Sequence, residues 1–408
     1  MGQSAEQDQV APRPRFPALD PEPPRRSRRG AALALTVTLA VAGGVSYAVL
    51  SPAGSPKQPA ATPVVSRTSD FTGIVLAETS SGVLSLTDLR TGKEDLLKGL
   101  GPVGGMPAVS ADDKLVLDPG TGKVFSLANK LHPATVPNQL SFSANITAGY
   151  PWSDHDSYVL LLPPSGSFGY AGNGDATLQS VQTGATIDLG VAADAAGDPQ
   201  QAGAFFSVPA SGQPPATSDQ PGPDSQVVLA DAGAARQVLA TAAALTHVLG
   251  FAPGTAVTLG PAVNPQGTMV AVEVAANNRA QSPSGVVVLG RSGQVLGTTA
   301  IAGGGSTAIS WSADGGSLAF ISGADLVQWK IGANAMTRTR LPKGFFFPDE
   351  CVWSPDSSAV LCGAFRILPR NQSLGTGTES WVVIASGRAH VLGEHGLVLA
   401  WLSGQLKS

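Results

Sequence analysis

A short hairpin signal recurs along most of this chain and leaves little choice of fold. Ile309 to Phe320 reads ISWSADGGSLAF, and Cys351 to Cys362 reads CVWSPDSSAVLC. In each, a β-prone segment ends in Trp-Ser, turn formers follow, and a second apolar segment returns. Ser first, Ala or Pro next and Asp after it suit a type I turn, because Pro presets φ and the Asp carboxylate can bond nearby amides. Further copies fall at Ser110 (VSADDKLVL), Ser153 (WSDHDSYVLLL), Asp198 (GDPQQAGAFFSV) and Asn264 (VNPQGTMVAVEV). The anchors Ser110, Ser153, Asp198, Asn264, Ser312 and Ser354 follow one another at intervals of 43, 45, 66, 48 and 42 residues.

Most copies lead into a third apolar strand, a Gly-containing turn and a fourth strand, as in VVLADAGAARQVLA, VVVLGRSGQVLGTT and WVVIASGRAHVLG. Four strands in roughly 40 to 50 residues make a β-propeller blade. The low charge (13%), 49 Gly and 32 Pro suit many short strands and turns better than helices. Gly73 to Lys98 supplies three strands with no hairpin partner before them, while Gly396 to Ser403, GLVLAWLS, is a lone strand ending in Trp-x-Ser. The C-terminal strand is expected to complete the first blade and close the ring, leaving no open sheet edge. The expected fold is therefore all-β: a propeller of seven four-stranded blades over 70–408. Six or eight blades stay as alternatives, because the second to fourth units are degenerate.

WSADGGSLAF and WSPDSSAVL resemble the WSPDG-x-x-(I/L)-A-F repeat of TolB-like propellers, also called WD40-like PD40 repeats. The letters match in two units in the last third of the chain; the other units share spacing and strand pattern. The resemblance implies a propeller outside the cytoplasmic membrane that works through protein contacts. It does not extend to the partners of TolB itself, and the N-terminus here departs from that of a soluble periplasmic protein.

Residues 1–29 are rich in Pro and Arg and poor in apolar groups, and read as a disordered cytoplasmic tail. The run 30–50 carries no charge and is long enough to cross a bilayer as a transmembrane helix, with Arg25, Arg26, Arg28 and Arg29 holding the N-terminus inside. The alternative is a signal peptide cut after Ser46-Tyr47-Ala48, which would release a secreted body. Residues 51–69, rich in Pro, Ala, Ser and Thr, read as a linker. The expected location is the bacterial cytoplasmic membrane, single-pass, with the C-terminal domain outside. Net charge is −4, and six Arg against four acidic residues in the first thirty leave the body more acidic still. Such a body offers no electrostatic footprint for nucleic acid.

The two cysteines, Cys351 and Cys362, stand opposite each other in a hairpin turning between Asp356 and Ser357. A disulfide is expected in an oxidising compartment; two buried thiols are the alternative. None of the five histidines lies in a metal-ligand spacing, and no GxSxG elbow is present. Asp154-His155-Asp156 can in principle ligate a cation, but it occupies the turn position of Ala313-Asp314-Gly315 and reads as a solvated turn. No catalytic residue, metal or cofactor is assigned.

The connections between second and third strands are long at Pro163–Asp175, Pro209–Asp224, Ala275–Ser284 and Ala364–Thr378, as are the links Thr241–Ala256 and Lys343–Asp349. All emerge on one face, and long loops on a fixed scaffold tend to carry function. They hold Phe168 and Tyr170, the run Phe345, Phe346 and Phe347, and Phe365, Arg366 and Arg370. Aromatics and Arg anchor interfaces, so this face is expected to bind a protein or an envelope polymer. The competing reading packs the Phe run between blades. Two other functions compete: a propeller hydrolase or lyase acting in the channel, and a ligand-sensing domain.

Overall fold

The structure is a computed structural model. It describes residues 64–65, 67–79, 83–97, 108–110, 112–118, 123–127, 132–133, 151–162, 174–209, 225–255, 257–276, 283–301, 309–346, 351–366 and 379–403. The chain divides into units 1–57 and 58–408, and every described residue lies in the second.

Seven antiparallel sheets succeed one another, four-stranded except for additions to the last. The C-terminal strand Leu397–Leu402 pairs with Ile74–Glu78 and supplies the first strand of blade one, so the ring closes as the sequence predicts. First strands of blades two to seven are Ala108–Val109, Trp152–Ser153, Asp194–Gly197, Val257–Val263, Ser310–Trp311 and Cys351–Trp353. Neighbouring first strands lie side by side around a central channel. The propeller has seven blades.

Burial across a blade follows from its place in the ring. A middle strand has a neighbouring blade on each face, which is why Ser284–Gly290 is buried at every position and reads as an unbroken apolar run. The fourth strand forms the outer wall, so Ala335–Arg340 is polar and largely exposed. The core therefore sits in the seams: Ala196, Phe205 and Leu229 of blade four interdigitate with Leu259, Val272 and Leu289 of blade five. Each of the larger of these side chains contributes about 1.5–3 kcal/mol by leaving water.

Three additions depart from the repeat. Val64–Val65, within the stretch read as a linker, forms a parallel fifth strand on the outer edge of blade seven, beside Arg388–His395. Phe345–Phe346, read as part of a link, pairs with the second strand of blade seven beyond Cys351–Trp353. The link between blades four and five carries a helix, Ala242–Val248, capped by Thr241 Oγ1, which accepts from the Ala244 amide.

Strands also run further than local signals suggest. Gly174–Ser180, Met269–Ala276, Ser284–Gly290 and Ala359–Arg366 each take up part of a stretch read as loop. A neighbouring strand extends the ladder through residues whose own β-propensity is weak. The apolar run 30–50 lies outside the described residues, and among the described residues no helix is long and apolar enough to cross a membrane.

Candidate functional site

At one end of the channel stand the turns between first and second strands, with anchors Ser110, Ser153, Asp198, Asn264, Ser312 and Ser354 all buried. Ser312 shows the local logic: its hydroxyl accepts from the Ser317 amide and donates to Asp314, while the Gly315 amide donates to the Ser312 carbonyl. Gly315 has φ +65, a left-handed conformation that closes a type I turn into the returning strand. Ser110 and Ser354 make the same bonds to Asp112 and Asp356.

These turns dock on one another. The Asp154 amide donates to the Asp198 carbonyl at 2.9 Å, Gln266 Nε2 to the Ala313 carbonyl at 3.3 Å, and the Asp314 amide to Ser357 Oγ at 3.2 Å. Asp154-His155-Asp156, read as a solvated turn, is thus pinned to blade four through its backbone. A line of tryptophans continues the stitching. The Trp152, Trp311 and Trp353 indoles donate to the carbonyls of Ala108, Ala262 and Ser310 on the preceding blade at 3.2, 2.8 and 3.0 Å.

A second clamp joins blades four and five. Arg291 Nη1 lies 2.6 Å from the fully buried Asp198 Oδ2, Nη2 lies 3.3 Å from Asp231, and the guanidinium rests over the Phe205 ring. Burial pushes the Asp198 carboxyl up, against the pull of a backbone bond from Gln200 and of Arg291. Cys351 and Cys362 are opposite in register and bonded, with Cα atoms 4.1 Å apart, as the hairpin symmetry predicts.

Among the described first-strand residues one side chain is ionisable, and sequence reasoning missed it. Asp194 begins the first strand of blade four, and burial pushes its carboxyl up to about 7, against a 2.8 Å bond from the Ala195 amide. Aligning the repeats on their turns was the available signal: Asp194 lies as far before Asp198 as Gly260 before Asn264. The two positions meet across the seam, for a Cβ on Gly260 would stand 3.5 Å from Asp194 Oδ2 and 3.9 Å from Glu273 Cβ. Such a carboxyl can exchange a proton near neutrality. Among the described residues, however, no group of three or more His, Cys, Asp or Glu is close enough to hold a metal.

At the other end of the channel the second-to-third-strand connections 163–173, 210–224, 277–282 and 367–378 lie outside the described residues. Phe168, Tyr170 and Arg370 fall there, and Phe347 lies in the link 347–350, also outside the described residues. The structure does bring four of the named residues together: Phe345 stands opposite Arg366 and Phe346 opposite Phe365. Phe345 is half-buried against the blade-seven core with Leu341, Trp353 and Ala364.

No protein-family model matches the chain, and no curated protein matches it. Solved propellers are similar in structure. The β-propeller domain of Myceliophteria thermophila Cps50 (Swd1) is 12% identical, over 81% of this chain and 89% of that one, with a TM-score of 0.44. An oligogalacturonate lyase in complex with manganese is 12% identical over 71% and 83%, TM-score 0.48. TolB from Acinetobacter baumannii is 13% identical over 80% and 81%, TM-score 0.38. At these identities the likeness concerns the fold, which rests on the strand order and closure described above.

Proposed function

We propose that this chain is a non-catalytic, membrane-tethered extracytoplasmic propeller that binds a protein or envelope polymer on the face opposite the interlocked turns. The observation that carries this reading is the asymmetry of the two faces. On one, the Asp154, His155 and Asp314 amides and Gln266 Nε2 donate to neighbouring turns, so these donors are spent within the ring. The connections that exceed the minimum, with their Phe, Tyr and Arg residues, belong to the other, where binding loops on rigid scaffolds are found. The tether rests on the uncharged run 30–50 behind Arg25, Arg26, Arg28 and Arg29.

The test is crosslinking and affinity capture from native membranes with the full chain and with variants lacking 163–173 and 367–378. Loss of capture by variants that keep the thermal transition supports the reading; unchanged capture sinks it. Mass measurement of the mature N-terminus separates an anchor from a cleaved signal. A channel-acting enzyme or a ligand sensor is favoured only by Asp194. Substrate turnover or ligand affinity lost in Asp194→Asn would reverse the order.

A further inference from the structure

We propose that the outer strand of blade five, Val295–Ile301, is a pairing edge through which two copies of this chain associate about a two-fold axis. The outer strand of every blade presents unpaired backbone groups, which folded proteins cover, shorten or charge. Blade one has Glu94–Leu96, short and acidic, and blade two has His132–Pro133, short and containing Pro. Thr186–Ala192 of blade three carries Asp188 and is crossed by Arg236, which donates to the Leu189 and Val191 carbonyls. Gln237–Thr241 of blade four gives way at once to the helix Ala242–Val248. Blade six carries Arg338 and Arg340, and blade seven is covered by Val64–Val65.

Blade five has none of these protections. Its outer strand has seven residues, VLGTTAI, without charge or Pro, and the uncharged stretch runs from Ser292 to Ala313. Among the described residues it pairs only with Ser284–Gly290. Val295 and Leu296 are 48% and 40% exposed, and Val238, Val248 and Met336 expose apolar groups on the neighbouring blades and link. Of the six large apolar side chains exposed among the described residues, two, Val295 and Leu296, lie on this one strand.

The chemistry of the edge selects its occupant. An uncharged strand cannot choose a charged partner strand by ion pairing, whereas a neutral β-prone strand of equal length suits it, and the chain carries that strand itself. Beyond the bulge between Val288 and Leu289 the ladder is regular over Gly297–Ile301. An antiparallel dyad through Thr299 sets Thr299 opposite its own counterpart, Thr298 opposite Ala300 and Gly297 opposite Ile301 of the second copy. No like charges oppose, and the surface is self-complementary as a two-fold interface requires. Val64–Val65 on blade seven shows that a blade of this propeller accepts a fifth strand.

The test uses the full chain purified in detergent. The native cysteines are bonded to each other, so in Thr299→Cys the new thiol can join only its counterpart, and a covalent dimer released by reductant is expected. Thr299→Lys sets two ammonium groups across the dyad, so sedimentation should shift from dimer to monomer while the melting transition stays. A monomeric wild-type chain at micromolar concentration, no crosslink in Thr299→Cys, or a dimer that persists in Thr299→Lys would each overturn the proposal. The last result would place the contact elsewhere, for instance in the run 30–50.

Discussion

Arg291 reaches from the outer turn of blade five to Asp198 in the inner turn of blade four, with 2.6 Å between Nη1 and Oδ2. The carboxylate is wholly buried, so its charge depends on this one guanidinium more than on solvent. Removing the cation leaves an uncompensated charge, which typically costs about 3–5 kcal/mol, far more than the pair itself is worth. Arg291→Met is therefore expected to lower the urea midpoint sharply. In an Asp198→Asn background the same change should cost much less, and equal losses in both backgrounds would refute the coupling.

The Cys351–Cys362 bond spans the inner hairpin of blade seven, next to the closing strand. Reduction, or the double change Cys351→Ala with Cys362→Val, should cost about 2–4 kcal/mol, read from denaturant midpoints with and without reductant. The same reductant should leave the double variant unmoved.

Asp194 predicts a stability change between the acid range and neutrality. Its folded carboxyl keeps a proton up to about 7, whereas in the unfolded chain it ionises near ~3.9. The folded state thus binds more protons through that interval, and stability falls as pH rises across it, then levels off. Asp194→Asn removes the fall, so its melting temperature should gain on the wild type between about pH 4 and about pH 7. A constant difference across that range would refute the assignment. The acid limb has the opposite origin. Hydroxyl bonds from Ser312 and Ser354, with nearby amides, hold Asp314 and Asp356 below the usual range. The stability they contribute is present at neutrality and is lost as acid protonates them, so Asp314→Asn should flatten the acid limb.

The indole bond from Trp353 to the Ser310 carbonyl tests the stitching between blades. Trp353→Phe keeps an aromatic ring but loses the donor and part of the indole's packing, which together should cost about 1–3 kcal/mol. Hydrogen exchange is expected to rise in blades six and seven first. Uniform exchange across the ring would show that the seam is held by apolar packing alone.

Much of the fold was legible because a hairpin is a local object. Ser110, Ser153, Asp198, Asn264, Ser312 and Ser354 lie within a few residues of everything that defines their turns, so each anchor and the Cys351–Cys362 register could be read directly; counting the units put seven blades ahead of six or eight, and the unmatched strands at the two ends implied the closure. Contacts across seams are different. Arg291 meets Asp198 at a distance of nearly two blades in sequence, and Asp194 acquires its environment from Gly260 of the next blade. Neither has a local signature. Phe345–Phe346 was misread as link for a related reason: its strand exists because Ala359–Arg366 runs long enough to pair with it. Of the binding residues named on the proposed face, only Phe345, Phe346, Phe365 and Arg366 lie within the described residues.

The Val64–Val65 strand has a mechanical consequence. It is a two-residue ladder laid on the outside of blade seven, and the chain then passes through Phe71, edge-on to both His390 and Trp401, before entering blade one at Ile74. A pull on the residues before Val64 meets this ladder first and reaches the closing sheet only after it has parted. The two-residue ladder thus stands between any load on the preceding residues and the sheet that closes the ring.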